Sequence, residues 1–246
     1  MGYGTLGKGN ARCVSYLILK MKRSIILIEL LRKVQLFESL DDDQLNHILS
    51  IANKQTLAAG TVLFHEHDIG ASFYVILKGS IKIFTRSKDG EEKVLSMLQS
   101  GESFGELSLI DGRPRSASAQ TLEPTTVLSV SGEPFYELLR KHFDITARIM
   151  AELCRRLRDT NQHVHDLTFL DARTRVIKNL ILMANRHGQR RGQEILIRMP
   201  LNFDELAQMA GVPKSTLVGV MRDVEERGIV KFGTNEYTLD LTKLRA

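Results

Sequence analysis

The amino-acid sequence predicts an α+β protein, in which a roll of short antiparallel strands is followed by a long helix and then by a smaller helical module with a hairpin. Three observations support this fold class. Glycines in the N-terminal half recur about every ten residues, between segments rich in β-branched and aromatic residues. No glycine or proline occurs from residue 135 to residue 167. Near the C-terminus, Gly211 separates two short amphipathic segments.

The segments between the glycines have the composition of β-strands. Ser80–Thr85 alternates apolar and polar residues, the period of a strand with one buried face. Lys88–Glu91 is typical of a tight hairpin. Strands at such regular spacing favour a sandwich or a jelly-roll-like roll over a parallel α/β sheet. The predicted strands are Thr61–Phe64, Phe73–Leu77, Ser80–Thr85, Val94–Leu98 and Thr125–Val130.

The long segment after the roll predicts a helix that pairs with a second copy of itself. Its apolar or small residues are spaced alternately by four and three positions, which is the heptad pattern of a coiled coil. We therefore expect a homodimer. The alternative is that this stripe packs on the roll. The residues of the stripe are Leu153, Leu157, Thr160, Val164 and Leu167.

The C-terminal region predicts a winged helix–turn–helix. Asp171 begins a helix that runs to about residue 186, and the polar link 188–193 leads to a strand. Asn202–Glu205 is a capping box that opens a helix ending at Ala210, and a second helix follows over 214–227. Two short strands around residues 233–236 complete the hairpin. A glycine between two such helices is typical of modules whose second helix enters the DNA major groove, and the alternative is a tail that only packs.

Composition narrows the class of protein. The chain has 246 residues, 43% hydrophobic and 26% charged, as in a soluble globular protein, and its net charge of +5 permits nucleic-acid or anionic-ligand binding. Two cysteines, Cys13 and Cys154, exclude a disulfide framework and a metal–thiolate cluster, which fits a reducing cytoplasm. We expect Cys154 to be buried on the long helix. No catalytic constellation is visible, so we expect no enzyme.

The N-terminal region before the roll divides into two parts. Residues 24–38 have the pattern of a short amphipathic helix. Residues 1–20 are expected to be a loosely structured extension, native or not, since Met21 would also serve as a start. Charged residues interrupt the apolar run Val14–Leu31 well before the ~20 residues that a membrane span needs, so no membrane partner is expected.

The segment Gly101–Ile110, followed by Arg115, has the chemistry of a nucleotide site. A glycine-bracketed turn leads into a short helical segment, where backbone N–H groups and a guanidinium can hold a phosphate. Glu106 can accept a hydrogen bond from a ribose 2′-hydroxyl.

The second helix of the C-terminal module supplies candidate DNA contacts. Lys214, Ser215 and Thr216 stand at its exposed start, where base edges are met, and Arg222 lies further along. Asn202 can give its backbone N–H to a phosphate.

Two other patterns allow a different interpretation. His65 and His67 can share one face of a strand and bind a metal, as in cupin enzymes, but no third ligand follows, so a polar strand end and turn is favoured and no metal is expected. Arg155 and Arg156 are interpreted as a solvated face, although Arg156 could meet an acid or ligand of a second chain.

Two motifs together resemble the CRP/FNR family of bacterial transcription regulators. They are Phe104–Leu107 with Arg115–Ala117, and the helix end from Arg155 to Asp171. The resemblance covers the chain from about residue 34 and implies a cyclic-nucleotide-binding roll, a dimerisation helix, a hinge near 169–171 and a DNA-binding module. The expected domains are 1–33 (extension and helix), 34–132 (roll), 133–170 (dimerisation helix and hinge) and 171–246 (winged helix–turn–helix).

The resemblance also implies roles for single residues. In members that respond to cyclic AMP, the nucleotide is held by the long helix and by the first of these motifs, Phe104–Leu107 with Arg115–Ala117, which we call the cassette. Gly105 and Glu106 would hold the ribose region, with Leu107 completing the motif. Arg115 and Ser116 would hold the cyclic phosphate. Thr160 would contact the base, and Asn161 would reach the ligand of the partner subunit.

The partners implied are double-stranded DNA with a pseudo-palindromic operator, a second copy of the chain and RNA polymerase. Cyclic AMP would be an allosteric effector; another effector, or none, is the alternative. The chain departs from the family in the second helix of the module. The best-known members have an Arg-Glu pair and then an arginine, where this chain has Lys214-Ser215 and then Gly219. Because glycine cannot read a base edge, the familiar operator is not expected.

Overall fold

The computed structural model describes residues 26–38, 40–198, 202–233, 236–240 and 242–243. The expected extension 1–20 and the first residues of the helix expected at 24–38 lie outside the described residues. Residues 26–32 are helical (α1), and the chain then turns into a short 3-10 helix at Gln35–Phe37. The helix therefore ends earlier than the sequence predicted.

The roll consists of two four-stranded antiparallel sheets, and every predicted strand is present in it. The strand order is β1-β8-β3-β6 in the first sheet and β2-β7-β4-β5 in the second. The strands are β1 (Ala52–Leu57), β2 (Val62–Phe64), β3 (Ser72–Lys78), β4 (Ser80–Arg86), β5 (Glu92–Gln99), β6 (Ser103–Phe104), β7 (Ser118–Thr121) and β8 (Thr125–Ser131).

The helices after α1 surround the roll and build the C-terminal module. Their bounds are α2 (Asp42–Ile51), α3 (Glu106–Asp111), α4 (Gly132–Lys141), α5 (Phe143–Phe169), α6 (Ala172–His187), α7 (Phe203–Ala210) and α8 (Lys214–Glu226).

Strand alternation divides the roll into two cores. Ile76 of β3 and Val127 of β8 point inward and meet Ile81 of β4 between the two sheets. Phe73 and Val75, on the other face of β3, belong to a second core that α1, α2, α4 and the start of α5 cover. Successive side chains of a strand point to opposite faces, so one strand serves both cores.

The segment predicted as one helix over 135–167 is two helices in the structure. α4 begins at Gly132, with Pro134 tolerated in its first turn. The helix breaks at His142, whose φ of −128° and ψ of 88° are not helical. Gln44 of α2 makes a hydrogen bond with the His142 ring nitrogen Nδ1 at 3.1 Å. No glycine or proline in the sequence marks the break. The contact between His142 and α2 is tertiary, so a local pattern does not record it.

Helix α6 folds back along α5. Leu170 ends α5 in an extended conformation, and Asp171 begins α6 by accepting a hydrogen bond from the Thr174 N–H at 2.9 Å, as predicted. Lys178 Nζ lies 2.6 Å from Asp166 Oδ1 and joins the two helices. The helices therefore run antiparallel from a corner at 170–171.

The C-terminal module has the predicted helix–turn–helix and hairpin. The capping box at Asn202 begins α7, and Gly211, with a φ of 63°, ends it. The first part of the polar link 188–193 is a strand that pairs with the next one. Residues 234–235 at the hairpin tip lie outside the described residues. The sheet has the order β11-β12-β10-β9, from β9 (Gly188–Arg191), β10 (Glu194–Arg198), β11 (Val230–Gly233) and β12 (Glu236–Asp240).

The module packs directly on the second sheet of the roll. Phe84 of β4, with Val94 and Met97 of β5, belongs to the same buried cluster as the apolar side chains of the module, among them Leu206 and Ala210 of α7. The roll and the module therefore share one continuous core, which we call the shared core.

Cys154 and the apolar character of the helices also bear on the sequence predictions. Cys154 is exposed rather than buried, which corrects the expectation for this residue. Among the described residues, no helix has the length and apolar character needed to cross a membrane.

Candidate functional site

The turn that begins the candidate nucleotide site requires a glycine. β6 ends at Phe104, Gly105 adopts a left-handed conformation with a φ of 83°, and α3 begins at Glu106. A Cβ atom at Gly105 would lie 2.8 Å from Arg115 Nη1 and 3.0 Å from the Ser72 carbonyl oxygen. Both the backbone conformation and the space therefore exclude a larger residue.

Arg115 closes the site from the other side. Its guanidinium donates to the carbonyls of Gly105 and Ser72, each at 2.7 Å, and lies 4.1 Å from the ring centroid of Phe64. Only 4% of the residue is exposed. Burial lowers the pKa of Arg115, while Tyr74 and nearby acids oppose this effect, and an arginine remains charged at neutral pH. The site thus contains a desolvated cation.

Glu106 connects the site to the long helix. Its Oε1 accepts a hydrogen bond from Arg156 Nη1 of α5 at 2.9 Å, and Arg156 Nε donates to Glu152 Oε1 at 2.8 Å. The interpretation of Arg156 as part of a solvated face is wrong, because this residue pairs with two acids of its own chain. Arg156 lies four residues before Thr160 on the same helix face, and this spacing could have indicated that Arg156 lies near the site.

Two buried polar atoms of the site have no hydrogen-bond partner among the described residues. They are Glu106 Oε2, which is an acceptor, and Arg115 Nε, which carries a donor N–H. Each such atom costs about 1–3 kcal/mol unless it is satisfied. A ligand that presents a donor to Glu106 and an acceptor to Arg115 fits both atoms.

The other candidate ligand contacts lie at the surface around this pair. Ser116 and Leu107 are exposed beside Arg115 and Glu106. Thr160 and Asn161 are exposed on α5, and Thr160 Oγ1 donates to the Arg156 carbonyl at 2.9 Å. Arg156 is therefore the residue that links the cassette to the turn of α5 where Thr160 lies.

A separate cavity lies behind Glu106. Its volume is about 550 Å³, and it is bounded by the N-terminal half of α5, the turn at 99–103 and the end of α6. Glu106 lines it, whereas Arg115, Ser116 and Thr160 do not. At the α6 end lies His187, whose pKa is lowered to about 4 by burial and by the charges of Arg186 and Arg155.

The predicted seam of α5 is exposed to solvent. Leu157 is 62% exposed and Val164 is 58% exposed, so these residues do not pack on the roll. Leu167 is also exposed, and Met150, seven residues before Leu157, extends the stripe toward the N-terminus. Leu153 differs, because it is half-buried and packs against the second core.

The start of α8 is exposed, as a DNA-reading helix requires. Lys214 and Ser215 are exposed, Thr216 is half-buried, and Arg222 is exposed further along. Lys214 Nζ lies 2.8 Å from Asp204 Oδ2.

The backbone N–H of Asn202, a candidate phosphate contact, has a partner within the chain. Its backbone N–H donates to Glu205 Oε2 at 3.1 Å. The backbone amide predicted to bind a phosphate is therefore already bonded, because the capping box uses it.

Comparison with known proteins identifies the family. The cyclic AMP receptor protein of Thermus thermophilus is 31% identical over 198 residues, which cover 80% of this chain and 88% of that protein. The chain belongs to the CRP/FNR family of transcription regulators. Residues 54–142 match the family described as the cyclic nucleotide-binding domain. This segment contains strands β2 to β8, most of β1 and the cassette.

Two further proteins support the membership and the fold. A CRP-like cAMP-activated global transcriptional regulator of Mycobacterium tuberculosis is 29% identical over 203 residues, 82% of this chain and 91% of that protein. The structure of CLP, the c-di-GMP-responsive global regulator of Xanthomonas campestris, has the same fold with a TM-score of 0.67. It is 23% identical and covers 81% of this chain and 99% of that one.

Family membership establishes the broad function. CRP-like regulators bind DNA and typically act as dimers, and these relatives are transcription regulators, not enzymes. The cupin alternative also lacks its geometry. His65 and His67 lie in the turn after β2 rather than on a strand, and His67 has a φ of 71°. Within the described ranges, no group of three or more His, Cys, Asp or Glu residues can hold a metal.

The departure from familiar CRP/FNR members is visible in α8. Gly219 is exposed, and a Cβ built there would meet no atom within 4 Å. The glycine therefore does not serve packing within the chain. It leaves a gap on the helix face where the best-known members present an arginine.

Proposed function

We propose that this CRP/FNR regulator binds cyclic AMP in the roll and, as a homodimer, binds a pseudo-palindromic operator in response. The observation that most supports this effector class is the pair of unsatisfied atoms in the cassette, an acceptor on Glu106 and a donor on Arg115. A cyclic nucleotide presents the complementary pair, a ribose 2′-hydroxyl and an anionic phosphate. Burial makes both interactions stronger than they would be in water.

The proposed ligand contacts follow from this pairing. Glu106, in the Gly105–Leu107 motif, would accept from the ribose, and Arg115 with Ser116 would hold the phosphate. Thr160 would meet the base, and Asn161 would meet the ligand of the partner subunit. Arg156 of α5 donates to Glu106 Oε1, and the ribose would donate to Oε2 of the same side chain. The ribose and α5 would therefore share one carboxylate.

The proposed dimer uses the exposed stripe of α5. Apolar residues at heptad spacing are typical of helices that pair, and covering them with a second helix removes apolar surface from water. The domain boundaries stay as proposed, at 33, 132 and 170, with 171–246 as the DNA-binding module. In the dimer, the two α8 helices would lie ~34 Å apart, one turn of DNA, with Lys214, Ser215, Thr216 and Arg222 toward the groove. RNA polymerase would contact the bound dimer.

Coupling requires that the ligand bind one arrangement of α5 better than another. The Glu106–Arg156 pair supplies a route, because it joins the ligand's carboxylate to the helix that forms the dimer. A ligand placed against Thr160 and Asn161 would also contact the seam itself.

Calorimetric titration with cyclic AMP tests the effector, with cyclic GMP, c-di-GMP and 5′-AMP for comparison. Arg115 is a poor site for the test variant, since it also holds two backbone carbonyls. Thr160→Val is better, because Thr160 is exposed. Thr168→Val is a matched control on the same helix, where the Thr168 hydroxyl donates to the Val164 carbonyl at 2.8 Å.

We expect Thr160→Val to weaken cyclic-AMP binding about tenfold, the effect of one hydrogen bond, while Thr168→Val changes it less than about twofold. Binding of c-di-GMP alone would reassign the effector. No binding of any of the four nucleotides by folded protein would contradict the proposal and leave a regulator with another effector or none.

A further inference from the structure

The turn before the DNA-reading helix is held by two cations that come from outside the helix pair. Lys93 of β5 donates from Nζ to the carbonyls of Gln208 and Met209, at 2.7 Å and 3.2 Å. Arg175 of α6 donates from Nε to the Ala210 carbonyl and from Nη2 to the Gly211 carbonyl, both at 3.0 Å. These are successive carbonyls at the C-terminus of α7, where the helix dipole is negative.

This turn fixes where α8 begins. Gly211 is left-handed, and α8 starts three residues later at Lys214. A Cβ atom at Gly211 would lie 2.8 Å from Leu167 Cδ2 of α5 and 3.3 Å from Lys93 Nζ. The turn is therefore enclosed by β5, α5 and α6, and a shift of any of them must shift the start of α8.

The strand that carries Lys93 leads directly into the cassette. β5 ends at Gln99, the turn at Gly101 follows, and β6 delivers Gly105 and Glu106. The neighbouring strand β4 contacts the other end of α7, because Lys82 Nζ lies 3.9 Å from Glu205 Oε1 in the first turn of that helix. The β4–β5 hairpin thus contacts α7 at both ends.

The environment of Lys93 is unfavourable for a positive charge. Burial and the charge of Arg175 lower the pKa of Lys93 to about 8. Lys93 and His163 are close enough for the charge of Lys93 to help lower the pKa of His163. Carbonyl dipoles rather than a carboxylate compensate the Lys93 charge.

We propose that Lys93 is a positioning residue that couples effector binding in the cassette to the placement of α8. It acts through the carbonyls of the α7–α8 turn and does not touch DNA or ligand. The inference rests on the proposed function for the identity of the effector. Coupling between two binding sites is reciprocal, so one ratio measures it: the DNA affinity with saturating cyclic AMP divided by the affinity without it.

The test measures this coupling ratio by fluorescence anisotropy. The probe is a labelled duplex selected from a random library with wild-type protein. The variants are Lys93→Met, which keeps the apolar stem but has no donor, and Lys93→Arg, which restores a cation. Lys88→Met is the control for lost charge, since Lys88 is exposed at the tip of the same hairpin.

We expect Lys93→Met to lower the coupling ratio at least about fivefold, Lys93→Arg to recover part of it, and Lys88→Met to stay within about twofold of wild type. A coupling ratio in Lys93→Met equal to that of wild type would overturn the inference. Recovery by arginine separates the lost donor from a general loss of packing.

A second readout keeps the inference testable if cyclic AMP proves not to be the effector. Spin labels at Asp89→Cys of the roll and Glu225→Cys of α8, with Cys13 and Cys154 replaced by serine, report the distance between the hairpin and the helix. Lys93→Met should broaden this distance distribution about twofold, because several arrangements of the turn become accessible. An unchanged distribution would contradict a positioning role, whatever the effector is.

Discussion

At the scale of single residues, the conformation of Gly105 and the position of the Arg115 guanidinium depend on each other. The left-handed turn aims the Gly105 carbonyl at Arg115, and the missing side chain leaves room for Nη1. Gly90 offers a comparison, because its φ of 86° is similar but a Cβ there would meet no atom within 4 Å.

Replacing each glycine by alanine separates the cost of a left-handed backbone from the cost of a close contact with Arg115. Gly90→Ala should lower the free energy of unfolding by about 1 kcal/mol, the cost of a left-handed alanine. Gly105→Ala should lower it by about 2–3 kcal/mol, because it also displaces a buried hydrogen-bonded arginine. Urea unfolding measures both. Equal losses for the two variants would show that the contact with Arg115 contributes nothing.

His187 gives a prediction about pH. Its pKa in the folded protein is lowered to about 4 from an ordinary value of 6.5. As the pH falls below 6.5, the unfolded chain takes up the proton while the folded chain does not. The contribution of neutral His187 to the free energy of unfolding is therefore fully present above pH 6.5 and decreases as the pH falls toward 4.

His187→Asn should remove this dependence. Between pH 7.5 and pH 5, the wild type should lose about 1–2 kcal/mol more stability than the variant does, since one pKa unit corresponds to about 1.4 kcal/mol. Urea unfolding at the two pH values measures the difference. The exposed His67, replaced by Asn, is the control and should follow the wild type; a parallel loss in His187→Asn would contradict the lowered pKa.

At the scale of elements, the faces of α5 lie in different environments. Ile145 and Ile149 are buried in the second core, and Arg156 reaches the cassette. The stripe through Leu157 and Val164 faces solvent. One helix can therefore contact the roll and a second copy of the chain at the same time.

A charge in the stripe should separate the dimer. Leu157→Lys should convert a dimer to a monomer in sedimentation equilibrium, because pairing would bury two lysines near the helix contact. Leu182→Lys is the control: Leu182 is a similarly exposed apolar residue, 43% exposed, on α6 rather than on the stripe. A dimer that survives Leu157→Lys, or a monomeric wild type, would rule out this seam.

At the scale of the whole molecule, local patterns predicted the fold where they were strong. Strands with one buried face alternate in sequence, and the capping residues Asp171 and Asn202 mark real helix starts. The strands β1 and β9 were missed because most of their side chains are exposed, so they show no alternation. Their positions depend on the strands they pair with, which no local pattern records.

The candidate site was predictable to a similar extent. The cassette motif gave Glu106 and Arg115, because their chemistry and spacing are local. Lys93 was missed, and the partner of Arg156 in its own chain was missed, since the partners of these two residues lie 115 and 50 residues away in sequence. Only the angle at which α5 crosses the roll, and the docking of α7 on β5, bring these groups together. The proposed ligand contacts were thus more predictable than the residues proposed to couple the site to the rest of the molecule.

The shared core also limits how such a regulator can be rebuilt by recombination. Phe84, Val94 and Met97 belong to the sensor in sequence, yet they complete the interior of the DNA-binding module. A chimera cut at the hinge and joined to a foreign module would set mismatched apolar surfaces against each other. Grafting a new DNA specificity onto this sensor therefore means changing the exposed face of α8 alone, and leaving the underside of the module as it is.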